Sequence, residues 1–133
     1  MLNTVILLFS LVSVKAQGII GTWYAGGNYQ NEITIWQADD GLYYGKISKI
    51  LNPANIDAKC TKCKGARKDQ AWLGLITIEG LSKQGKEYTG GTSLEPKSGK
   101  TYKCKLWLDT DGNLKIRGYI GFLYGTETLT PVD

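Results

Sequence analysis

The strongest constraint on the fold is an alternation of side-chain types through residues 102–108 and again through 114–120. Between these segments, Asp109-Thr110-Asp111-Gly112 has the composition of a tight turn, with a glycine that tolerates positive φ. A period of two is typical of a β-strand with one buried and one solvated face. The shared apolar face consists of Tyr102, Cys104, Leu106, Leu108, Leu114, Ile116, Gly118 and Ile120. The sequence therefore predicts an antiparallel β-hairpin.

The rest of the chain divides into further short segments of the same kind. Eight segments have strand composition: 18–25, 31–37, 42–50, 72–79, 86–93, 102–108, 114–120 and 122–130. Residues 80–85 are predicted as a turn, and 51–71 as a long irregular loop. Eight antiparallel strands can close into an up-and-down barrel and so remove both sheet edges, whereas an open sandwich leaves them exposed. The sequence predicts an all-β fold, and its periodicity leaves both architectures open.

The amino-terminal residues have the pattern of an export signal. Residues 5–14 are mostly apolar, the run is too short to span a bilayer, and Val14-Lys15-Ala16 supplies small residues for a signal peptidase. We expect residues 1–16 to be a signal peptide and residues 17–133 to form one β-domain without a transmembrane segment. A formal net charge of +4 is too mild to indicate a nucleic-acid partner.

The sequence contains no histidine, which restricts the chemistry available to it. Histidine-dependent nucleophiles, histidine-bearing zinc sites and the usual neutral-pH base are all excluded. The acidic residues fall mainly in predicted turns, and no pair has the spacing of an acid/base site. The Asp109–Gly112 turn lacks the later glutamate of a calcium loop. We therefore expect no catalytic residues, no metal and no cofactor.

Two of the three cysteines lie in a Cys60-Thr61-Lys62-Cys63 motif, which allows three interpretations. A local disulfide is the first, because exported proteins fold in oxidising compartments. A thiol redox pair is the second, because the flanking lysines could lower a thiol pKa. A zinc site is the third, but it lacks a fourth ligand. Cys104 shares the buried parity of its strand and is predicted to be a buried free thiol, unless it bridges to this loop.

The same loop carries a run of cations without an intervening acid: Lys59, Lys62, Lys64, Arg67 and Lys68. A solvated loop is the simpler interpretation. The functional alternative is a basic rim that guides an anionic head group toward a barrel mouth. Trp36 and Trp107 lie off the core parity, so they either pack under loops or mark a surface used by a partner.

Several motifs also resemble a known family. Gly21-x-Trp23 resembles the Gly-x-Trp of calycins, the lipocalin-like barrels, in which the Trp plugs one barrel end and a late basic residue covers its ring; Arg117 matches that residue. The wider set is Asp40-Gly41-Leu42-Tyr43-Tyr44-Gly45-Lys46-Ile47, Cys60-x-x-Cys63, Leu73-Gly74-Leu75, Gly99-Lys100-Thr101-Tyr102 and Arg117-Gly118-Tyr119-Ile120-Gly121.

In order and spacing this set is similar to a family of small exported bacterial domains of unknown function, in particular to secreted lipocalin-like proteins of epsilonproteobacteria. The resemblance implies an eight-stranded calycin barrel and export, and no established activity. Residues 125–129 depart from the pattern, because they lack the Trp and Arg that close the family's last strand.

The function predicted from these observations is non-enzymatic binding of one small apolar or amphipathic molecule, with an anionic head group if the basic rim acts, in the periplasm or outside the cell. The expected ligand-binding residues are the inward-parity positions Tyr43, Ile47, Ile76, Tyr88, Tyr102, Leu106, Ile116 and Phe122. One alternative is an interaction module of the cell envelope with a side-chain-plugged barrel. A Cys60/Cys63 thiol oxidoreductase is the remaining alternative. No protein partner is indicated.

Overall fold

A computed structural model describes residues 18–132, and these residues form eight antiparallel strands. The strands are β1 (Gly21–Ala25), β2 (Asn31–Gln37), β3 (Tyr43–Ile50), β4 (Ile76–Gln84), β5 (Glu87–Glu95), β6 (Lys100–Leu108), β7 (Leu114–Ile120) and β8 (Leu123–Pro131). The predicted all-β class is confirmed. Short 3₁₀ turns at Pro53–Asn55 and Gly65–Arg67 interrupt the connection from β3 to β4.

The sheet closes on itself, which confirms the barrel and excludes an open sandwich. Each strand pairs with the next along the chain, and β8 returns to β1. The closing seam is short: Trp23 lies opposite Pro131 and Tyr24 opposite Thr130. The Val132 N–H then donates a hydrogen bond to the Thr22 carbonyl, at 3.0 Å. Because the seam joins only two residue pairs, residues 123–129 of β8 pair with β7 and, within the described part of the chain, not with β1.

The turn predicted at residues 80–85 is wrong, because β4 continues through this segment to Gln84. Gly80 takes a φ of +73°, and the side chain of Leu81 is fully buried. The pairing of β3 with β4 shifts register here, as expected where a bulge bends a barrel strand. Glycine at this site therefore marks a bend inside a strand and not the end of one.

One end of the barrel, which we call the closed end, is filled by side chains. Ile19 is fully buried below β1, and its carbonyl accepts a hydrogen bond from Trp23 Nε1 at 2.9 Å. The rings of Tyr43 and Tyr88 meet edge to face, with centroids 4.9 Å apart. The other residues sealed in this core include Ile35, Leu81, Leu106 and Leu114. Each such side chain contributes about 1.5–3 kcal/mol relative to an exposed one.

The opposite end, which we call the open end, carries the longer connections. Because successive strands reverse direction, residues 26–30, 51–75, 96–99 and 121–122 all emerge there. No helix within the described part of the chain has both the length and the apolar character needed to cross a membrane.

Candidate functional site

A cavity of about 510 Å³ occupies the open half of the barrel. Its apolar wall is formed by inward-facing side chains: Ile33, Ile47, Ile78, Leu94, Ile116 and Leu129. Cavities of about 300–1,000 Å³ with mainly apolar walls are the usual sites for small molecules in proteins. The site is therefore the barrel interior at the open end.

A pair of glycines leaves this half of the barrel hollow. Gly118 of β7 and Gly125 of β8 lie opposite each other, and both line the cavity. A Cβ placed on Gly118 would find its nearest neighbour, the Tyr102 Cβ, at 3.7 Å, and one placed on Gly125 would find nothing within 4 Å. No side chain from either position fills the interior, whereas leucines fill the equivalent positions at the closed end.

The cavity wall also carries a buried amide. Asn31, at the start of β2, is only 2% exposed, and its Oδ1 has no hydrogen-bond partner among residues 18–132. A buried acceptor without a partner costs about 1–3 kcal/mol. Thr77, also buried, and Ser93 add hydroxyl groups to the same wall. Glu95 and Glu127 also line the cavity, so its apolar wall is interrupted by polar groups that can orient a ligand.

Aromatic packing holds the connections of the open end together above part of the cavity. The ring of Tyr29 packs on Trp72, with centroids 5.6 Å apart, and the Lys97 ammonium lies 5.0 Å from the Tyr29 centroid. The Lys97 N–H donates a hydrogen bond to the Tyr29 hydroxyl at 3.4 Å. Burial raises the pKa of the Tyr29 hydroxyl above that of a free tyrosine, which is itself protonated at neutral pH. The mouth is thus bordered by side chains from three separate connections.

Cys60 and Cys63 form the predicted local disulfide, and both residues are buried. Cys60 Sγ lies 3.6 Å from the Pro96 carbonyl oxygen. A Cβ on Gly99 would overlap the backbone of Lys62. The disulfide loop is therefore packed directly against the connection between β5 and β6, where it shapes the rim of the mouth.

Cys104 is a buried free thiol, as predicted. Burial raises its pKa to about 12, so the thiol stays protonated and unreactive at neutral pH. It lies on β6 and does not bridge to the disulfide loop. Within residues 18–132, no three His, Cys, Asp or Glu side chains lie together in a way that could hold a metal ion.

A second depression of about 960 Å³, which we call the basic groove, adjoins the cavity. Its cationic lining residues are Lys62, Lys64, Arg67, Lys100 and Lys103, and none of its lining residues is acidic. Leu94, Tyr102 and Ile120 line both spaces, so the groove runs up to the mouth. Three cations of the predicted basic run thus lie beside two from β6.

The predicted ligand-binding residues separate into groups along the barrel axis. Ile47, Tyr102 and Ile116 line the cavity. Tyr43, Tyr88 and Leu106 are buried but lie outside the cavity lining, in the core of the closed end. Ile76 is half-buried at the start of β4 and does not line the cavity. Phe122 is 91% exposed, because it occupies the turn before β8. Strand parity separates inside from outside but carries no information about height in the barrel.

Of the residues expected to seal a barrel end, Gly21 and Trp23 lie at the closed end and Arg117 does not cover the Trp23 ring. The Arg117 guanidinium lies 4.2 Å from the Tyr124 ring centroid and 4.9 Å from that of Trp107, on the outer face. Its position opposite Lys105 and Thr126 gives it the outward parity of β7. The plug is completed by Ile19 instead.

Sequence reasoning missed Asn31, Gly118 and Gly125 as cavity residues. Asn31 has the same parity as Ile33 and Ile35, and a polar residue on that parity was a signal that could have identified it. The two glycines become informative only when the register of β7 with β8 is known.

Comparison with known proteins gives one family and one solved structure. A model of the family described as "Uncharacterized protein conserved in bacteria (DUF2147)" matches residues 21–130. The chain is similar in fold to protein HP1028 from the human pathogen Helicobacter pylori, described as belonging to the lipocalin family. The TM-score is 0.76 at 15% sequence identity, over 86% of this chain and 83% of that chain. No curated protein matches. The predicted resemblance is confirmed as to family and lipocalin-like fold.

Proposed function

The chain belongs to the DUF2147 family of uncharacterized bacterial proteins, and from that premise we propose that it is an exported binding protein without enzymatic activity. Its ligand is one small apolar or amphipathic molecule, held inside the barrel. The observation that carries this proposal is the cavity of about 510 Å³, sealed at one end and open at the other. Eight-stranded barrels with such an interior, lipocalins among them, hold one small ligand.

The lining narrows the class of ligand. Apolar walls supply affinity through the hydrophobic effect, and they favour a chain or ring system without charge. The buried Oδ1 of Asn31 favours a ligand that donates one hydrogen bond, such as an alcohol, an amide or a protonated acid. An apolar body with a single polar group is therefore the best match.

Export is proposed on chemical grounds. Disulfides persist in oxidising compartments and are rare in reducing ones, and the Cys60–Cys63 disulfide is part of the packed rim. The predicted signal peptide, residues 1–16, lies outside the described residues. Secretion of a tagged full-length chain, with amino-terminal sequencing of the product, tests both the export and the cleavage after Ala16.

The two alternatives have less support. A thiol oxidoreductase needs an accessible sulfur pair, but the sulfurs of Cys60 and Cys63 belong to residues that are at most 3% exposed. An interaction module with a fully plugged barrel conflicts with the hollow beside Gly118. Binding to other molecules through the outer surface is compatible with a ligand inside.

Filling the cavity tests the proposal. Gly118→Leu adds a side chain to the hollow at a position without positive φ, so the backbone is not strained. We expect it to weaken binding of an apolar fluorescent probe, N-phenyl-1-naphthylamine, by about tenfold or more, because the leucine occupies the ligand's space.

Gly26→Leu is the matched control, because Gly26 is exposed, lies outside the cavity and also lacks positive φ. Probe binding by this variant should equal that of the parent. If the parent binds neither the probe nor any long-chain alcohol or fatty acid, or if Gly118→Leu binds as the parent does, the barrel interior is not the binding site.

A further inference from the structure

The hairpin between β7 and β8 ends in an exposed apolar tip at the open end. This hairpin tip consists of Ile120, Gly121, Phe122, Leu123 and Tyr124. Phe122 is 91% exposed, and the other three large side chains are each more than 60% exposed. Contiguous apolar side chains on a protein surface usually mark a contact with a partner or a membrane. The tip is therefore an apolar surface that no other part of the described chain covers.

The basic groove lies directly beside this tip. Ile120 and Gly121 of the tip line the groove together with its five cations. Lys62, Lys64, Lys100 and Lys103 form no ion pair within the described part of the chain, although Glu95 lies opposite Lys100 in the β5–β6 ladder. Arg67 is partly neutralised, since its Nη1 lies 3.7 Å from Glu79 Oε1. An apolar projection beside unpaired positive charge has the composition of a surface that meets anionic head groups and acyl chains together.

Aromatic rings extend this surface over the outer face of the barrel. Tyr119 and Tyr124 pack with centroids 6.2 Å apart, next to Arg117. Trp107 follows on the other side of Arg117. Tyrosine and tryptophan side chains favour the boundary between water and lipid, because an apolar ring carries a polar group. The aromatic face thus lies next to the tip, at the position that would meet the head groups.

We propose that the open end docks on an anionic lipid bilayer, with the hairpin tip in the acyl boundary and the basic groove on the head groups. Ile120 and Leu123 of the tip have no ring on which a base could stack, so they fit a hydrocarbon environment better than a nucleic acid. The choice of a bilayer over a protein partner rests on the proposed function. Ile120 and Leu123 line the cavity mouth, so an apolar ligand could enter the bilayer without crossing water.

Vesicle sedimentation tests the docking. The purified protein should sediment with vesicles of phosphatidylcholine mixed with phosphatidylglycerol, and only weakly with phosphatidylcholine alone. Binding should decrease as salt rises, because salt screens the attraction between the lysines and the head groups. Equal binding to both vesicle types, or binding that does not respond to salt, would overturn the electrostatic part of the proposal.

Charge reversal in the groove gives the sharper test. Lys100→Glu with Lys103→Glu should weaken vesicle binding by at least about thirtyfold, since each lysine near an anionic surface is worth about 1 kcal/mol. Lys83→Glu with Lys86→Glu makes the same change in net charge at exposed positions by the β4–β5 turn, on the closed end. This control should bind nearly as the parent does. An equal loss in both variants would mean that net charge, and not the groove, governs binding.

The tip is tested by Phe122→Ser. We expect the affinity for anionic vesicles to fall by a factor on the order of ten to a hundred, because the phenylalanine side chain is no longer there to be buried in the acyl region. Phe122→Trp should bind at least as well as the parent, because tryptophan suits the interface. Both substitutions lie at an exposed turn position, so the barrel should remain folded. Parent-like binding by Phe122→Ser would overturn insertion of the tip.

The two proposals fail in different ways. Gly118→Leu, which fills the cavity, should still sediment with anionic vesicles. Probe binding without vesicle binding would leave the ligand proposal standing and overturn the docking. Vesicle binding without probe binding would leave the docking proposal standing and overturn the ligand proposal. Retention of an oligonucleotide at the same affinity as anionic vesicles would mean that the surface recognises polyanions and not a bilayer.

Discussion

The two ends of this barrel use the same strands and differ in what stands at the inward positions. At the closed end these positions hold leucine, isoleucine and tyrosine, which pack with Ile19 and Trp23 into a sealed core. At the open end β7 and β8 present Gly118 and Gly125 to each other, and a cavity remains. Stability and binding are therefore located in different halves of one sheet. Substitutions at the two ends should have different effects.

Truncating a leucine at each end should give the largest difference. Leu106→Ala in the closed end removes a fully buried side chain and should cost about 4 kcal/mol, within the range of about 2–5 kcal/mol for sealed cores. Leu94→Ala, in the cavity wall, enlarges a space that already exists and should cost about 2 kcal/mol. The free energy of unfolding from urea titration measures both. Equal costs would mean that the open half is packed as tightly as the closed half.

The rim of the open end should nevertheless be sensitive to substitution at one position, Gly99. Gly99 has a φ of +72°, and a Cβ there would overlap the Lys62 backbone, so Gly99→Ala should cost about 3 kcal/mol. Gly121→Ala is the matched control, with a φ of +57° and open space around it, and should cost about 1 kcal/mol. Urea titration again reports the difference. If the two costs agree, the disulfide loop is free to move away from the β5–β6 connection.

Two buried tryptophans, one at each end, should respond differently to loss of the indole N–H. Trp23 Nε1 donates to the Ile19 carbonyl, so Trp23→Phe breaks the hydrogen bond that seals the plug and should cost about 1–3 kcal/mol. Trp72 Nε1 is buried without a partner among residues 18–132, so Trp72→Phe should cost less than about 1 kcal/mol. A larger cost for Trp72→Phe in thermal unfolding would contradict this assignment.

The buried amide of Asn31, at the open end, should increase selectivity for the ligand and lower the stability of the ligand-free protein. Asn31→Leu removes an unsatisfied acceptor and should stabilise the ligand-free protein by about 1 kcal/mol. The same change should reduce affinity for a long-chain alcohol while leaving affinity for the corresponding alkane unchanged, as measured by displacement of the fluorescent probe. If Asn31→Leu destabilises the protein, the amide has a structural partner and is not a ligand-orienting group.

The sequence was informative about the sheet because strand parity is a local property. Alternation placed Ile33, Ile35, Ile47 and Leu106 on the inner face, where the structure has them. Alternation does not distinguish Leu106, which lies in the core, from Ile116, which lies in the cavity wall. The two residues face each other on neighbouring strands and have the same inward parity. That distinction depends on which residues face them from other strands. The cavity arises from pairs such as Gly118 with Gly125, which only the register brings together.

Glycine is the residue type from which the ends of strands are predicted least reliably in this sequence. The sequence predicts a turn beginning at Gly80, whereas this residue bends β4 inside the strand, and Gly91 of the neighbouring strand packs directly against that backbone. Positive φ is shared by turns and bulges, so the residue type alone does not separate them. The buried side chain of Leu81, the next residue, indicates a bulge, because a turn would expose that side chain.

The effect expected to be smallest at neutral pH, and to grow only above about pH 9, concerns Cys104, which lies inside the barrel wall. Burial raises the pKa of its thiol from 9.0 to about 12, so the folded state holds this proton more tightly than the unfolded chain. The resulting stability is fully present below about pH 9 and is lost as the pH rises toward 12, by up to about 1.4 kcal/mol per pH unit. Cys104→Ala removes this contribution, so its free energy of unfolding should fall less steeply above pH 9 than that of the parent. Identical slopes would mean that the thiol ionises in the folded protein, and iodoacetamide would then alkylate the native chain.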